Sequence, residues 1–273
     1  MWISKKNAFY LLMICGASMV FTFCRKVPVS GREQFNLIPE SQIVQMSSQE
    51  YAQTIQQSRL SSNAEQVAQV KNVGARIQAA VEKYMADQGR SAELKGYNWE
   101  FNLIQNDTTV NAWCMPGGKV AFYTGIMPIC QTEAGVAVVM GHEVSHAIAR
   151  HGNERMSQGL AEQAGGVALD VLLSQKTAQT RQLFEQAYGV TAQYGLILPF
   201  SRKQESEADH LGLIFMAMAG YDPQQAIEFW KRMSALSAGK EPPEFSSTHP
   251  SDAHRVKALQ DYLPEAMKYY KPQ

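Results

Sequence analysis

The chain has 273 residues, 45% of them hydrophobic and 18% charged, enough to bury a sizeable core in one large domain or two smaller ones. Its 25 basic and 25 acidic residues cancel, which excludes the one-signed charge of a nucleic-acid binder and gives no reason to expect a strongly acidic partner. No internal repeat and no long low-complexity run interrupts it, so it reads as an enzyme-sized body behind a leader.

In the leader, Lys5 and Lys6 precede an apolar run from Ala8 to Phe23 that is too short and too interrupted for a comfortable membrane span. Basic residues followed by an apolar stretch are the order of a secretory signal peptide, here residues 1–23. Cys24 closes the run and Arg25-Lys26 mark the return to polarity. A cysteine at this place resembles the lipidation site of a bacterial lipoprotein. Phe23 departs from that pattern, which has a small residue there, and the alternative is a short uncleaved anchor helix. Both put the body outside the cytoplasm and beside a membrane. The expected location is the periplasm of a bacterial cell envelope, with the chain lipid-anchored at Cys24 to the outer membrane. Of the four cysteines, Cys15 and Cys24 lie in this leader, while Cys114 and Cys130 fit either one disulfide or two small buried residues.

Residues 24–41 hold Pro28, Gly31 and Pro39 and read as an extended lead-in; residues 42–273 read as one domain. From Gln42 to Gln88 the apolar positions Val67, Val70, Val73, Ile77, Ala80, Val81 and Tyr84 recur at three and four, which predicts helix with Gly89 as its stop. Tyr97 to Ile104 alternates apolar and polar residues as a half-buried strand does. Asn106-Asp107 turns the chain into two further strands, Val110 to Cys114 and Lys119 to Thr124. The Pro116-Gly117-Gly118 interruption between them favours an edge or a turn. Ala134 to Arg150 is an apolar helix, capped by Thr132 and stopped at Gly152. Asn153 to Gly195 mixes helix and loop, with breaks at Gly165-Gly166 and Gly189. Ser201 with Gln204 forms a capping box that opens a helix ending at Gly220. Asp222-Pro223 starts another, and a last helix runs from about Pro250 to Tyr262. The fold class is α+β, mostly helical, with a small sheet.

The chemistry concentrates in His142-Glu143-Val144-Ser145-His146. Residues four apart share one helix face, so the two imidazoles can converge on one metal ion while Glu143 stands beside a water on that ion. A hydrolytic zinc site needs a third protein ligand and an open position. The helix after Ser201 offers Glu205, Glu207 and Asp209. At about 100° per residue, Glu205 and Asp209 fall within about 40° of each other and Glu207 points away. Glu205 is therefore the expected ligand, with Asp209 accepting the far ring N–H of a bound histidine and Glu207 a surface or structural carboxylate. Glu143 takes the role of general base. His151, nine residues from His142, lies about 180° round the helix and is expected to be a C-terminal cation beside Arg150. His210 points elsewhere.

Several further motifs accompany the zinc motif. They are Val27 to Arg32 with Asn36 to Pro39, Asn111-Ala112 with Pro116-Gly117-Gly118, His142 to His151, Leu198 to Asp209, and Ser247 to Pro250 with Arg255. Together they resemble the HtpX, BepA and LoiP family of gluzincin metallopeptidases, which also includes the CAAX prenyl proteases. The resemblance implies a zincin-like fold with a small mixed sheet whose edge strand borders the active-site cleft. It implies one Zn2+ held by His142, His146 and Glu205, with Glu143 as base. It also places His249 near the metal, either stabilising an oxyanion or filling the fourth coordination position in a latent state. Asn111, Ala112, Trp113, Cys114 and Met115 would form the substrate strand, to which an extended peptide adds through backbone bonds. The expected function is zinc endopeptidase action on misfolded or unassembled cell-envelope proteins; the alternative is an assembly factor or holdase with a latent site. Expected partners are unfolded polypeptides and a membrane, with no nucleic acid. The chain shows neither the C-terminal repeat domain nor the multiple membrane spans of some family members, which points to the compact lipoprotein type. The segment 153–195 is expected to act as a lid or plug.

Overall fold

The computed structural model describes residues 24–164, 178–188, 201–237, 245, 249 and 253–272. The leader, Gly165-Gly166, Gly189 and Pro250 lie outside them. The lead-in is not simply extended. Strands β1 (Cys24–Lys26) and β2 (Glu33–Phe35) pair antiparallel with Cys24 opposite Phe35, joined through a turn in which Val29 and Gly31 take positive φ of 67° and 63°. The helical periodicity of 42–88 belongs to two helices, α1 (Glu40–Gln57) and α2 (Ala64–Asp87). The Asn63 side chain caps α2 by accepting from the Gln66 N–H, 3.1 Å. Its stripe of Val70, Val73, Ile77, Val81 and Tyr84 is buried, as the spacing requires.

Strands β3 (Glu100–Ile104), β4 (Ala112–Met115) and β5 (Lys119–Tyr123) form a mixed sheet in the order β3-β5-β4. β5 is parallel to β3 and antiparallel to β4, which leaves β4 at an edge. The tight β4–β5 turn passes through Gly117 and Gly118 at φ 89° and 76°, a region that side chains disfavour. All of β4 is buried, and its period-2 alternation divides it between two cores. Ala112 and Cys114 face the main core beneath α3 (Glu133–Ile148), while Trp113 and Met115 face a second core with Leu37, Ile43 and Tyr51.

The remaining helices are α3 (Glu133–Ile148), α4 (His151–Ala164), α5 (Ala178–Tyr188), α6 (Arg202–Met218), α7 (Gln225–Ser237) and α8 (Ala253–Ala266). α3 is buried from Gly135 to Ile148 and forms the axis of the molecule. It meets α6 where two glycines face each other. A Cβ on Gly141 would lie 2.9 Å from the Gly212 carbonyl oxygen, and one on Gly212 would lie 3.0 Å from the His142 nitrogen. The motif helix does not run on to Gly152. Arg150 takes φ 59°, the chain turns there, and Gly152 belongs to the first turn of α4. Among the described residues no helix is long and apolar enough to cross a membrane.

Candidate metal centre

α3 is fixed at its start by the Thr132 hydroxyl, which accepts from the Gly135 N–H at 3.2 Å. Well inside it, His142 and His146 stand one turn apart with their Nε2 atoms 3.1 Å from each other. α6 begins in the capping box read from the sequence: the Ser201 hydroxyl accepts from the Gln204 N–H, and the Gln204 amide oxygen from the Ser201 N–H. The next residue, Glu205, places Oε1 3.4 Å from His146 Nε2 and Oε2 3.5 Å from His142 Nε2. His249 brings Nδ1 to 3.1 Å from His142 Nε2 and 2.9 Å from Glu205 Oε1. The four side chains are buried, and one ligand atom from each lies within 4.8 Å of the others.

This donor set fits zinc. Ligands bound tetrahedrally at about 2.0–2.1 Å stand about 3.3 Å apart, and the contacts here run from 2.9 to 3.5 Å. Two Nε2 lone pairs that face each other at 3.1 Å also repel unless a cation or a proton lies between them. Burial lowers the pKa of both motif histidines and keeps them neutral, the form that ligates. Burial alone would raise Glu205, but His249, Arg255, His142 and His146 outweigh it and hold the carboxyl well below the usual range. For His249 burial opposes protonation, yet Glu205 and Glu143 carry its pKa upward. A proton and a metal therefore compete for its ring.

Each ligand is held from behind. His142 Nδ1 donates to Asp209 Oδ1 at 2.9 Å, the partnership expected from the helical phase. Arg255 donates to Asp209 Oδ1 at 2.6 Å and to Glu205 Oε2 at 3.0 Å, while its guanidinium lies 3.3 Å over the Trp230 ring. In the sequence Arg255 matches a motif but has no role. Its distance from the zinc motif carries no geometric information, and only the packing of α8 on α6 reveals it. His151 is the second residue whose place the sequence missed. It is not a helix C-terminal cation: it opens α4 with its side chain fully buried, Nδ1 2.9 Å from His146 Nδ1 and Nε2 3.1 Å from Glu207 Oε2. The turn at Arg150 cancels the helical phase that would have pointed it away. Glu207, expected at the surface or in a structural role, is held at His151 and lies one residue behind His146. His210 stacks on Tyr262 and pairs with Glu265, away from the centre.

Glu143 stands beside the donors with its Oε1 buried and without a hydrogen bond among the described residues, although His249 Nε2 is 3.4 Å away. Burial pushes its pKa up to about 7, Glu205 adds to the rise, and His249 and Arg255 oppose it. Of the expected substrate strand, Ala112 to Met115 form β4 and Asn111 precedes it, its side chain accepting from the Ala112 N–H at 2.9 Å. Cys114 is close enough to Glu143 for that charge to add to the burial that raises its thiol pKa. Cys114 and Cys130 are both free and buried, so the two-thiol alternative describes them. Phe245 donates its N–H to the Val110 carbonyl at 3.1 Å, just before β4. Cys24 lies at the start of β1, remote in sequence from all of these.

Two histidines one turn apart, a carboxylate from a second helix and a buried glutamate next to the first histidine define a zinc-dependent metalloendopeptidase. The chain belongs to peptidase family M48, whose family model matches residues 72–263. It is 36% identical over 263 residues to the mitochondrial metalloendopeptidase OMA1 of Schizosaccharomyces pombe, covering 94% of this chain and 72% of that protein. The mitochondrial metalloendopeptidase OMA1 of Homo sapiens is 26% identical, over 91% of this chain and 47% of its own length. The beta-barrel assembly-enhancing protease of Escherichia coli is 27% identical, over 58% of this chain and 33% of that protein. These relatives correct the expected location. The proteins that match nearly the whole chain are mitochondrial metalloendopeptidases, not lipoproteins of a bacterial outer membrane.

Proposed function

We propose that the chain cleaves internal peptide bonds of unfolded or misassembled polypeptides, taken in extended form along β4. The observation that carries this reading is Glu143: its buried Oε1 stands beside the donors, 3.4 Å from His249 Nε2, and accepts no hydrogen bond among the described residues, which a purely structural metal site would not require. Zinc held by His142, His146 and Glu205 would polarise the scissile carbonyl and acidify a water molecule. Glu143, with a pKa near 7, is poised to take the proton from the attacking water and to deliver it to the leaving nitrogen. Asp209 and Arg255 hold His142 and Glu205 in place meanwhile. β4 is an outer strand of its sheet among the described residues, and a peptide added to it through backbone bonds would favour extended chains over folded ones with little sequence preference. Likeness to a bacterial beta-barrel assembly-enhancing protease supports a substrate met during protein assembly.

His249 completes a four-donor set, the arrangement of a closed site rather than an open one. This favours a resting state in which His249 must withdraw before water and substrate enter. It is also the observation behind the second reading, an assembly factor or holdase with a latent centre. One series separates them: wild type, Glu143→Gln and His249→Ala, each incubated with casein with and without a chelator. The peptidase reading expects chelator-sensitive cleavage, lost in Glu143→Gln and increased in His249→Ala. If none of the three cleaves while all bind unfolded protein, the holdase reading stands instead.

A further inference from the structure

His146 turns Nε2 toward the donor cluster and Nδ1 toward Nδ1 of His151, 2.9 Å away. A ring that ligates a metal through Nε2 carries its hydrogen on Nδ1, so His146 is the donor in this pair and His151 Nδ1 the acceptor. His151 then carries its own hydrogen on Nε2, which lies 3.1 Å from Glu207 Oε2. One carboxylate thus sets two tautomers in series. Glu207 is oriented in turn by Arg32, which donates from Nε to Oε1 at 2.8 Å and from Nη2 to Oε2 at 3.0 Å, and by the Ser30 hydroxyl at 2.6 Å. The outer edge of the same guanidinium grips Glu154 on α4 through Nη1 and Nη2, at 2.5 and 2.8 Å, and Glu154 also accepts from Gln204 on α6.

The orienting partners of His142 and Glu205 are Asp209 and Arg255, both within the residues that the family model matches. The line behind His146 ends outside that match, in the β1–β2 hairpin forty residues before it begins. We propose that Arg32 is a positioning residue of the metal centre, acting through Glu207 and His151 to fix the tautomer and aim of His146, and that the N-terminal hairpin is thereby part of the site. The plainer possibility is an ion-pair anchor for the hairpin that leaves the metal untouched.

The test uses the full chain and reads metal binding, so an enzyme inert toward every substrate tried would still report on it. Zinc affinity is measured by competition with a chromophoric chelator, and the visible spectrum is recorded with Co2+. Melting of the chelator-treated protein serves as the control for folding. Arg32→Ala and Glu207→Gln should weaken zinc by about ten- to a hundred-fold and alter the cobalt bands. Arg32→Lys should not restore them, because an ammonium cannot supply the planar fork. Glu154→Gln, which loosens the hairpin from α4 but leaves Glu207 with its donors, should lower the melting temperature and keep zinc affinity within about twofold of wild type. If Arg32→Ala fails to fold, Glu207→Gln decides alone. Zinc affinity and cobalt spectra unchanged in Glu207→Gln, whatever happens to melting, would overturn the proposal.

Discussion

Glu143 differs from its neighbours in the centre: Glu205 and Asp209 accept hydrogen bonds from His249, His142 and Arg255, while Glu143 Oε1 accepts none among the described residues and has His249 Nε2 at 3.4 Å. Glu143→Gln is therefore expected to lower the rate of casein cleavage by about 10²–10⁴-fold with zinc content and melting temperature retained. Loss of zinc together with activity would reassign the residue to the ligand shell. Glu207 makes a prediction at acid pH. Burial would raise its pKa, but hydrogen bonds from His151, Arg32 and Ser30 outweigh it and hold it at about 2. A folded-state pKa below the ordinary 4.5 means that this stabilisation is complete above about pH 4.5 and is lost as the pH falls toward 2. Chelator-treated Glu207→Gln should show a flatter dependence of urea midpoint on pH over that window; an unchanged slope would remove Glu207 from the acid limb. The two carboxylates on α6 also mark what was legible. Helical phase predicts different faces for Glu205 and Glu207, and α6, unbroken from Arg202 to Met218, sets Glu205 among the donors and Glu207 against His151. The same argument misplaced His151 because α3 ends at Ile148.

That break was not written in the local sequence. Ala149-Arg150-His151 holds neither glycine nor proline, and Arg150 adopts a φ of 59° that arginine disfavours. What holds it there is distant: its guanidinium meets Glu40 and Glu93, each at 3.3 Å. The helix starts, by contrast, were local and legible, since Thr132, Ser201 and Gln204 make the caps their residue types allow. The sheet order was beyond the sequence, because alternation marks strands and not their neighbours. At this scale the α3–α6 crossing is the critical contact. A methyl at Gly141 meets a backbone carbonyl at 2.9 Å, which no rotamer change relieves. Gly141→Ala should cost about 1–3 kcal/mol in denaturant unfolding and weaken zinc as the helices part. A variant as stable and as tightly loaded as wild type would mean that the two helices can slide. α5 leans on α4 in the same manner, with Tyr188 where a side chain at Gly152 would stand, Cβ to ring carbon 2.0 Å. If the 153–195 segment covers the cleft, Tyr188→Ala should raise cleavage of an unfolded protein, and an unchanged rate would count against a lid.

Across the whole molecule, the sheet has a core on each of its faces. The main core carries α2, α3 and α6; the second joins the lead-in and α1 to α4 and α5. Because the ligands come from α3, α6 and the residue at 249, zinc ties together parts of the chain far apart in sequence. An ion bound by the folded state alone at a thousand times its dissociation constant adds about 4 kcal/mol. Chelation should therefore lower the melting temperature by on the order of ten degrees; a shift of a degree or less would show that the protein fold owes the ion nothing. The glycine pair at the α3–α6 crossing has a further consequence for the ion itself. His142 directly follows one glycine, and Glu205 lies two turns before the other on the same helix. Backbone touching backbone leaves no compressible layer between the helices, so the width of the cage is set by the main chain and not by adjustable side chains. The site thereby acts as a gauge of ionic radius: an ion that demands longer bonds must push two helices apart, and its exclusion needs no residue of its own.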